Sequence, residues 1–480
     1  MLCLKENKER KTKRQSHCPW WRLPAMLVVV LLLVAVAAMS CYTFSSRRSY
    51  GYNPSLVSKS NTFQLQFLQP KPKNETHFRH NFSSSSTTTK QPNNEIHFQY
   101  NFSSSSTTTK QTSTKSEAGS QTKVQSETRS PYHNWELFAT DFQDMMSNFK
   151  IYVYPHVYTN MDMDPFARIF LPHPNPLNPK LGNYLSEHMF KLALLRSSLI
   201  TKNPRHAHFF FLPFSINNLR NDARVRSEAS IAEFVAKYTR SISRQFPFWN
   251  ASAGADHFYV CCHSVGRDAA SRDAELHNNA IQVTCSSSYF QKLYVTHKDV
   301  ALPQVWPRPY DVPLNPPHAR HRLVYFAGRI QNSRIRQELI ALWGNDSSMD
   351  VFHQRPSFPY EEGFRRSKYC LHVRGYEVNS ARVSDAIHYG CIPVILSNYY
   401  DLPFANVLDW SKFSVVFNNG EIPFLKKRLL SITKNGYLRM YRNLCQVRRH
   451  FVWHEKPRGF DSFHMTAYQL WLRRSVHRIS

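Results

Sequence analysis

An uncharged apolar run near the amino terminus is the strongest hydrophobic feature of the chain. No Asp, Glu, Lys or Arg occurs between Leu23 and Ser46, and the segment from Met26 to Met39 is almost entirely Leu, Val and Ala. A helix of about 20 apolar residues is long enough to cross the hydrocarbon core of a bilayer. The pattern therefore predicts a single transmembrane helix over residues 23–44.

The charges that flank this run predict its orientation. Residues 1–22 carry seven Lys or Arg against two Glu, whereas only Arg47 and Arg48 follow closely on the other side. Basic flanks stay in the cytosol, so residues 1–22 are predicted to be a cytosolic tail and the rest to be luminal or extracellular. A cleaved signal peptide is the alternative, since Ala35-Val36-Ala37 resembles a cleavage site. The long basic region and long apolar core favour an uncleaved signal anchor.

Residues 45–147 are predicted to be a stem. Ser, Thr, Asn, Gln and Lys dominate most of this stretch, which cannot bury enough apolar surface to offset chain entropy and is expected to be disordered. The segment 74–91 recurs as 94–111, a 20-residue duplication with too few copies for a solenoid. Sequons for N-glycosylation stand at Asn74, Asn81, Asn101, Asn250 and Asn345.

From about residue 148, short β-branched and aromatic runs alternate with amphipathic helical segments. The runs predicted to be buried strands cover residues 150–154, 206–214, 257–262, 323–327, 369–373, 392–396 and 413–417. The predicted helices cover residues 184–199, 227–246 and 335–343. This alternation is typical of parallel α/β sheets. A proline-rich link between Pro303 and Pro317 divides the region into two Rossmann-like lobes, residues 148–318 and 319–480.

Composition excludes several classes of site. The chain has 28 Pro and only 13 Gly, and it contains neither a GxGxxG nor a GxxxxGK[ST] string, which argues against a glycine-loop phosphate binder. Its nine cysteines include no CxxC pair, which argues against a structural zinc site. The six cysteines beyond the apolar run allow 15 full pairings, and Cys370 and Cys391 are interpreted as thiols of buried strands.

A possible phosphate site follows the strand predicted over residues 369–373. A turn containing Gly375 leads into a helix, and a helix N-terminus after a strand suits a phosphate. Arg382 and Asp385 lie three residues apart on that helix, where the cation can neutralise a diphosphate and the carboxylate can accept hydrogen bonds from ribose hydroxyls. The alternative is an ordinary surface ion pair, which the spacing alone favours.

Three other positions carry candidate chemistry. Arg329 follows the strand over 323–327 and can bind the same diphosphate, although a solvated loop charge is the default for arginine. Asp256 and His257 directly precede a strand, where they can form a general-base pair or, more commonly, cap a turn. The DxD-like string at 162–164 lies in a proline-flanked loop, so no metal site is predicted.

Many motifs in register resemble the plant exostosin-type glycosyltransferases of family 47. They run from about Phe149 to Arg474 and include Leu212-Pro213-Phe214, Gly254 to His257, Phe326-Ala327-Gly328, Cys370 to Ala386, Tyr389 to Ile395, Asp401 to Phe404 and Leu408-Asp409-Trp410. The resemblance implies a GT-B-like fold of two facing Rossmann-like lobes with the nucleotide-sugar donor on the second lobe. It also implies an inverting transfer of a hexosyl or pentosyl group from a UDP-sugar to a cell-wall polysaccharide, hemicellulose or pectin, without metal or other cofactor.

The resemblance also assigns site residues. Carried over position by position, it implies donor-binding roles for Arg329, Gly375, Glu377, Arg382 and Asp385. For Arg382 and Asp385 this reverses the preference for a surface ion pair. An inverting transfer needs a base that takes the proton of the acceptor hydroxyl. Asp256 is the residue predicted for that role, with His257 behind it.

The expected setting is the Golgi membrane, in which a single-pass type II protein presents its catalytic part to the lumen. The expected partners are the UDP-sugar, the polysaccharide acceptor and other glycosyltransferases in homo- or hetero-oligomers. Nucleic acid is not expected, because the basic globular part is luminal. The alternative is a catalytically silent luminal polyanion-binding protein or a non-catalytic subunit of a polysaccharide synthase, because the net charge of +28 attracts acidic chains.

Overall fold

The computed structural model describes residues 130–155, 167–173, 175–291 and 293–474. The predicted cytosolic tail, the transmembrane helix, most of the stem, the DxD-like string and the sequons at Asn74, Asn81 and Asn101 lie outside the described residues. Within the described ranges, no helix has the length and apolar character that a membrane span requires.

Two parallel sheets organise the described part of the chain. The first has the strand order β2-β1-β3-β4-β5-β6, and the second has the order β11-β10-β9-β7-β8. The strands of the first sheet are β1 (Ile151–Val153), β2 (Ile200–Thr201), β3 (Phe209–Phe211), β4 (His257–Cys261), β5 (Ile281–Thr284) and β6 (Val300–Ala301). Those of the second sheet are β7 (Arg322–Ala327), β8 (Met349–Phe352), β9 (Ser367–Val373), β10 (Ile392–Leu396) and β11 (Val415–Phe417). This α/β arrangement fits a GT-B-like fold.

Helices connect the strands, as parallel pairing requires. They are α1 (Trp135–Asn148), α2 (Ala167–Phe170), α3 (Leu185–Leu195), α4 (Ile216–Asn221), α5 (Glu228–Gln245), α6 (Pro247–Ser252), α7 (Ser264–Ala270), α8 (Ala274–Asn279), α9 (Arg334–Trp343), α10 (Tyr360–Arg366), α11 (Arg382–His388), α12 (Leu425–Leu430), α13 (Lys434–Val447) and α14 (Ser462–Arg473). Short 3-10 turns cover Pro179–Tyr184, Pro204–His206, Tyr289–Gln291, Pro317–Ala319, Trp410–Lys412, Asn419–Phe424 and Arg448–Phe451.

The sequence pattern correctly predicted the strands that are long or apolar. All seven predicted runs contain a strand, whereas β2, β5, β6 and β8 were missed. Strands β2 and β6 have two residues each, too few for a recognisable pattern. Strand β8 contains Asp350, a charge that interrupts the apolar run, and this carboxylate is buried between Arg322 and Arg366.

The two ends of the described region pack against each other, and α14 also packs on the first sheet. The predicted stem ended at residue 147, but α1 is a regular helix in which Phe138, Phe142 and Met145 are buried. Helix α14 was predicted to belong to the second lobe, yet its Leu470 lies in the same buried cluster as Phe209 of the first sheet. The correction has a physical cause, since an apolar stripe specifies that a helix is buried without specifying which sheet covers it.

Two disulfides tie neighbouring strands together. Cys262 pairs with Cys285 and Cys370 pairs with Cys391, at sequence separations of 23 and 21 residues. The interpretation of Cys370 and Cys391 as free core thiols is therefore wrong. Buried strand positions bring cysteines of adjacent strands within bonding distance, and an apolar run cannot distinguish this from isolated thiols. Each bridge stabilises the fold by about 3 kcal/mol, chiefly by constraining the unfolded chain.

Three buried histidines and two partly buried ones are held in the neutral form. Burial lowers their pKa values to about 3 for His188, about 4 for His263, about 3 for His372, about 2 for His388 and about 3 for His450. At His450, Nδ1 lies 2.7 Å from the Phe460 carbonyl and Nε2 lies 2.8 Å from the Tyr132 hydroxyl. Nδ1 donates to the carbonyl and Nε2 accepts from the hydroxyl. Protonation of Nε2 would remove the acceptor that the Tyr132 hydroxyl uses.

Stability is expected to fall as the pH drops from 6.5 to 4 because of these histidines. In this window the unfolded chain takes up protons that the native state does not, which favours unfolding. Urea unfolding of the full-length protein in mild detergent, at a series of pH values, measures the effect. His450→Gln keeps a donor and an acceptor but does not titrate, so the pH slope of its unfolding free energy should be smaller by about 1.4 kcal/mol per pH unit. Equal slopes would contradict this account.

Candidate functional site

A cavity of about 480 Å³ opens between α11, α10 and the proline-rich link. This volume lies within the ordinary range for small-molecule sites. Its lining includes three aromatic and four charged side chains, namely Trp306, Tyr360, Tyr389, Arg308, Glu361, Arg382 and Asp385. Asn183, just before α3, contributes from the first lobe, so both lobes border the cavity.

Two arginines are fixed beside this cavity at the carboxyl ends of strands. Arg382 donates from Nε and Nη2 to the Ala327 carbonyl at 3.1 and 2.8 Å. Arg336 donates from Nε and Nη2 to the Val373 carbonyl at the same two distances, 3.1 and 2.8 Å. Both guanidinium groups also lie over the ring of Phe326, at 5.6 and 5.8 Å from its centroid. Strand-terminal carbonyls therefore orient both planar cations.

No carboxylate among the described residues contacts this arginine pair directly, although Asp385 is near enough for its charge to interact with that of Arg382. Among the described residues, neither Arg336 nor Arg382 forms an ion pair with a carboxylate. Burial lowers the pKa of Arg336 to about 10, and the charge of Arg382 acts in the same direction. Two neighbouring cations that are not in ion pairs suit an anion that carries more than one charge, such as a diphosphate.

Two glycines allow the guanidinium groups to lie against the backbone. A Cβ at Gly375 would stand 2.8 Å from Nη2 of Arg336, and a Cβ at Gly328 would stand 2.7 Å from Nη2 of Arg382. Both distances are too short for a real contact, so any side chain would displace an arginine. Gly375 was predicted to be a donor-site residue, and its role here is to make room for Arg336.

Asp385 faces the cavity one turn after Arg382 and is only 3 % exposed at its side chain. It accepts hydrogen bonds from Arg308 and from the Tyr360 hydroxyl. Burial raises the pKa of Asp385, while the charges of Arg308 and Arg382 oppose the shift. The alternative of a surface ion pair with Arg382 is wrong, because the carboxylate is buried and pairs with Arg308 instead. No sequence pattern identified Arg308, which lies in the proline-rich link.

Glu377 joins the second sheet to the first. Its Oε2 accepts from the Ser286 hydroxyl at 2.5 Å and lies 3.7 Å from Nη2 of Arg267. Ser286 follows β5, while Glu377 follows β9, so the carboxyl ends of two strands from different sheets meet here. The Gly375 amide donates to the Glu377 carbonyl at 3.1 Å, so Glu377 belongs to the same turn as the glycine against which Arg336 packs.

Arg329 lies in the turn after β7. Its side chain is exposed, and its carbonyl accepts from Nη1 of Arg336 at 2.9 Å. Arg336 lies seven residues later, on α9. The donor-binding role of Arg329 stays a prediction, and Arg336 is the arginine that the same turn holds on a strand-terminal carbonyl.

Asp256 and His257 lie at the amino end of β4, the edge of the first sheet opposite to the carboxyl ends of its strands. His257 opens β4 and is fully buried, with Nε2 at 2.6 Å from the Tyr154 hydroxyl and its ring stacked on Phe210. Asp256 lies 2.7 Å from Nδ1 of His257 and accepts from Ser252 at 2.5 Å. Ligands of open parallel sheets bind at carboxyl ends, whereas this pair stands at an amino end. The structure therefore does not bring Asp256 and His257 to the donor-side residues.

Two predicted glycosylation sites are described. Asn250, on α6, and Asn345, shortly after α9, are both exposed. Their accessibility agrees with the prediction without testing modification itself.

Comparison with known proteins gives one consistent family. The model described as "Exostosin GT47 domain" matches residues 145–432. A probable glycosyltransferase of Arabidopsis thaliana is 33 % identical over 353 residues, 72 % of this chain and 65 % of that protein. A second from Arabidopsis thaliana is 33 % identical over 360 residues, 72 % of each chain. A probable glucuronosyltransferase of Oryza sativa subsp. japonica is 27 % identical over 318 residues, 62 % of this chain and 73 % of that protein.

Gly375→Ala is expected to weaken the binding of a nucleoside diphosphate without unfolding the protein. The new methyl group displaces the end of the flexible Arg336 side chain, so the cost falls on one charge-assisted contact to the ligand, about tenfold in affinity. Calorimetry with UDP measures the affinity, and a thermal melt checks the fold. Gly420→Ala is the matched control, because a Cβ there meets open space. Equal UDP affinity in the two variants would show that Arg336 does not touch the ligand.

Proposed function

The chain belongs to the exostosin GT47 family of glycosyltransferases, and from that premise we propose that it transfers a sugar from a UDP-sugar to a cell-wall polysaccharide. The transfer inverts the anomeric configuration and requires no metal. The observation that carries this proposal is the pair Arg336 and Arg382, anchored on strand-terminal carbonyls beside the cavity.

The arginine pair supplies the electrostatics that a leaving diphosphate needs. As the bond between the anomeric carbon and the diphosphate oxygen breaks, negative charge builds up on the phosphates. Two guanidinium groups already held in place stabilise that charge without reorganisation. Their contacts with backbone carbonyls use five of the ten N–H groups, and the other five remain for phosphate oxygens.

The rest of the cavity fits the nucleoside. Trp306, Tyr360 and Tyr389 offer aromatic surface to the uracil ring. Asp385 accepts hydrogen bonds from the ribose hydroxyls, and Arg308 keeps its carboxylate oriented and charged. The predicted roles of Arg382 and Asp385 are retained in this proposal, with Arg308 added as the residue that positions Asp385.

Glu377 is the proposed base. In an inverting step the acceptor oxygen bonds to the anomeric carbon, its proton passes to a carboxylate, and UDP leaves from the opposite face. Glu377 lies two residues after Gly375, against which Arg336 packs, and its carboxylate reaches the first lobe through Ser286. Asp256, the residue first predicted for this role, lies at the amino end of β4 and is engaged by His257 and Ser252.

We place the enzyme in the Golgi membrane as a single-pass type II protein with its catalytic part in the lumen. Two disulfides support an oxidising compartment. The apolar run with its basic amino-terminal flank supports a signal anchor. Association with other glycosyltransferases, as homo- or hetero-oligomers, remains part of the proposal.

Binding of UDP without metal tests the donor site. Full-length protein in mild detergent with EDTA should bind UDP, and Arg382→Ala should weaken that binding by about 10- to 100-fold because a charge-assisted pair of hydrogen bonds is lost. Arg428→Ala is the matched control, since Arg428 is exposed and pairs with Glu421 on another surface. A panel of UDP-sugars then identifies the donor.

A folded protein that binds neither UDP nor any UDP-sugar would contradict the proposed activity. That outcome favours the alternative, a luminal polyanion-binding protein or a non-catalytic subunit. Binding of acidic polysaccharide that weakens steeply with salt and involves no single arginine would then identify the first of these.

Glu377→Gln is expected to lower kcat by about 100- to 10,000-fold while the Kd for UDP stays unchanged, because an amide cannot take the acceptor proton. Steady-state transfer assays with the identified donor measure kcat, and calorimetry measures Kd. If Glu377 instead binds hydroxyls of the donor sugar, KM for the UDP-sugar rises and kcat changes little. If Asp256 is the base after all, Asp256→Asn shows the loss of kcat and Glu377→Gln does not.

A further inference from the structure

We propose that an exposed aromatic surface and a polar cavity at the junction of the two sheets bind the acceptor as a neutral polysaccharide chain. The aromatic surface consists of Tyr289, Phe290 and Tyr399 and is called the aromatic platform below. The proposal rests on the proposed transferase activity for the identity of the ligand as an acceptor. The binding surface itself is argued from its own contacts.

The aromatic platform exposes an unusual amount of apolar ring. Tyr289, Phe290 and Tyr399 are 50 %, 65 % and 42 % exposed. The rings of Phe290 and Tyr399 stack at 4.8 Å between centroids, and Tyr289 meets Tyr399 edge-on at 5.7 Å. A contiguous exposed apolar patch of this kind usually marks a binding site rather than ordinary solvent-exposed surface. Sugar rings present flat faces of C–H groups, which pack on exposed aromatic rings.

The backbone conformation that positions the aromatic platform is strained at Tyr399. Tyr399 has φ = 64°, a left-handed conformation that is uncommon for a bulky residue. It is kept there because Ser288 and Tyr400 form an antiparallel bridge and the Tyr289 amide donates to the Tyr399 carbonyl at 3.3 Å. Strain maintained by surrounding contacts is typical of binding and catalytic positions. The bridge also joins the segment after β5 to the segment after β10, so both lobes form the platform.

A polar cavity of about 310 Å³ begins two residues beyond the platform along the chain, at Asp401. Asp401, two residues after Tyr399, borders it, and so do Thr296, His297, Asn406, Gln469 and Arg473. Gln469 on α14 is 6 % exposed, and its Nε2 has no hydrogen-bond partner among the described residues. A buried amide donor without a partner is costly, and a ligand hydroxyl in the cavity satisfies it.

The charges of this cavity select a neutral ligand. The guanidinium of Arg473 donates to the carbonyls of Thr296, Lys298, Asp299 and Gln469, which occupies most of its five N–H groups. The Asp401 carboxylate accepts from the Tyr294 hydroxyl and repels a second carboxylate. Hydroxyl groups both donate to Asp401 and accept from Gln469. A uronate would have to place its carboxylate beside Asp401 without a free cation.

The aromatic platform and the polar cavity are linked to the proposed base, Glu377, through two serines. The Ser287 hydroxyl donates to the Asp401 carbonyl at 2.7 Å, and the preceding residue, Ser286, donates to Glu377. A chain bound on the platform and in the cavity therefore lies beside the segment that contacts Glu377.

Binding of neutral and acidic oligosaccharides to the full-length protein tests this proposal. Xylohexaose and cellohexaose are compared with an oligogalacturonate of equal length, by calorimetry in the absence of nucleotide. A neutral oligosaccharide should bind, and Phe290→Ala should weaken that binding about tenfold through loss of ring stacking. Phe424→Ala is the matched control, because Phe424 is similarly exposed, at 61 %, and lies in the turn before α12.

Gln469→Met provides the second variant. The substitution keeps the side-chain volume and removes the unpartnered donor, so the melting temperature should stay equal or rise. Oligosaccharide affinity should nevertheless fall, which a merely structural role for Gln469 does not explain. In both variants the Kd for UDP should match that of the unsubstituted protein.

The outcomes separate this proposal from the proposed function. If UDP does not bind but neutral oligosaccharide does, the transferase activity fails and the polysaccharide site stands. If UDP binds and no neutral oligosaccharide does, or if Phe290→Ala and Phe424→Ala behave alike, the polysaccharide site is overturned. Preferred binding of the oligogalacturonate would also overturn it.

Discussion

The contact between two arginines and two strand-terminal carbonyls is the constraint on which the candidate site depends. Arg336 and Arg382 come from different helices, yet each places Nε and Nη2 on the last carbonyl of a neighbouring parallel strand. The planar guanidinium is ordered by the protein before any ligand arrives, so less entropy is lost on binding. The same closeness explains why Gly328 and Gly375 have no side chain.

Contacts at the junction between the sheets position the remaining residues of the candidate site. Glu377 reaches Ser286, Asn379 donates to Gln304 at 2.9 Å, and Arg308 reaches Asp385. Each contact joins the second sheet to the first sheet or to the proline-rich link. The nucleotide cavity, the proposed base and the aromatic platform therefore depend on a single relative arrangement of the lobes. A change at this junction is expected to alter donor and acceptor binding together.

Sequence patterns predicted most of the second sheet because its strands are long, apolar and separated by clear helical periods. Strand β9 and helix α11 fell close to their expected places, and so did the turn with Gly375 between them. The first sheet was harder, since two of its strands have only two residues and β5 includes a glutamine and a threonine. The residues of the candidate site divide in the same way, into those that a sequence motif identified and those that it did not. Arg382, Asp385, Glu377 and Gly375 were found by motif, whereas Asp256 was placed by motif at the wrong edge of its sheet.

Local pattern was sufficient to specify which segments form strands and helices, that the sheets are parallel, and which turns carry charge, because these properties depend on residues close together in the chain. The partners of the charges were not accessible in that way. Arg308 and Asp385 are 77 residues apart, and Ser286 and Glu377 are 91 apart. The disulfides, the docking of α14 on the first sheet and the contact of Arg336 with the Val373 carbonyl are of the same kind. Contacts between distant segments arise only when the helices and sheets pack, and no periodicity within one segment encodes the segment that will cover it.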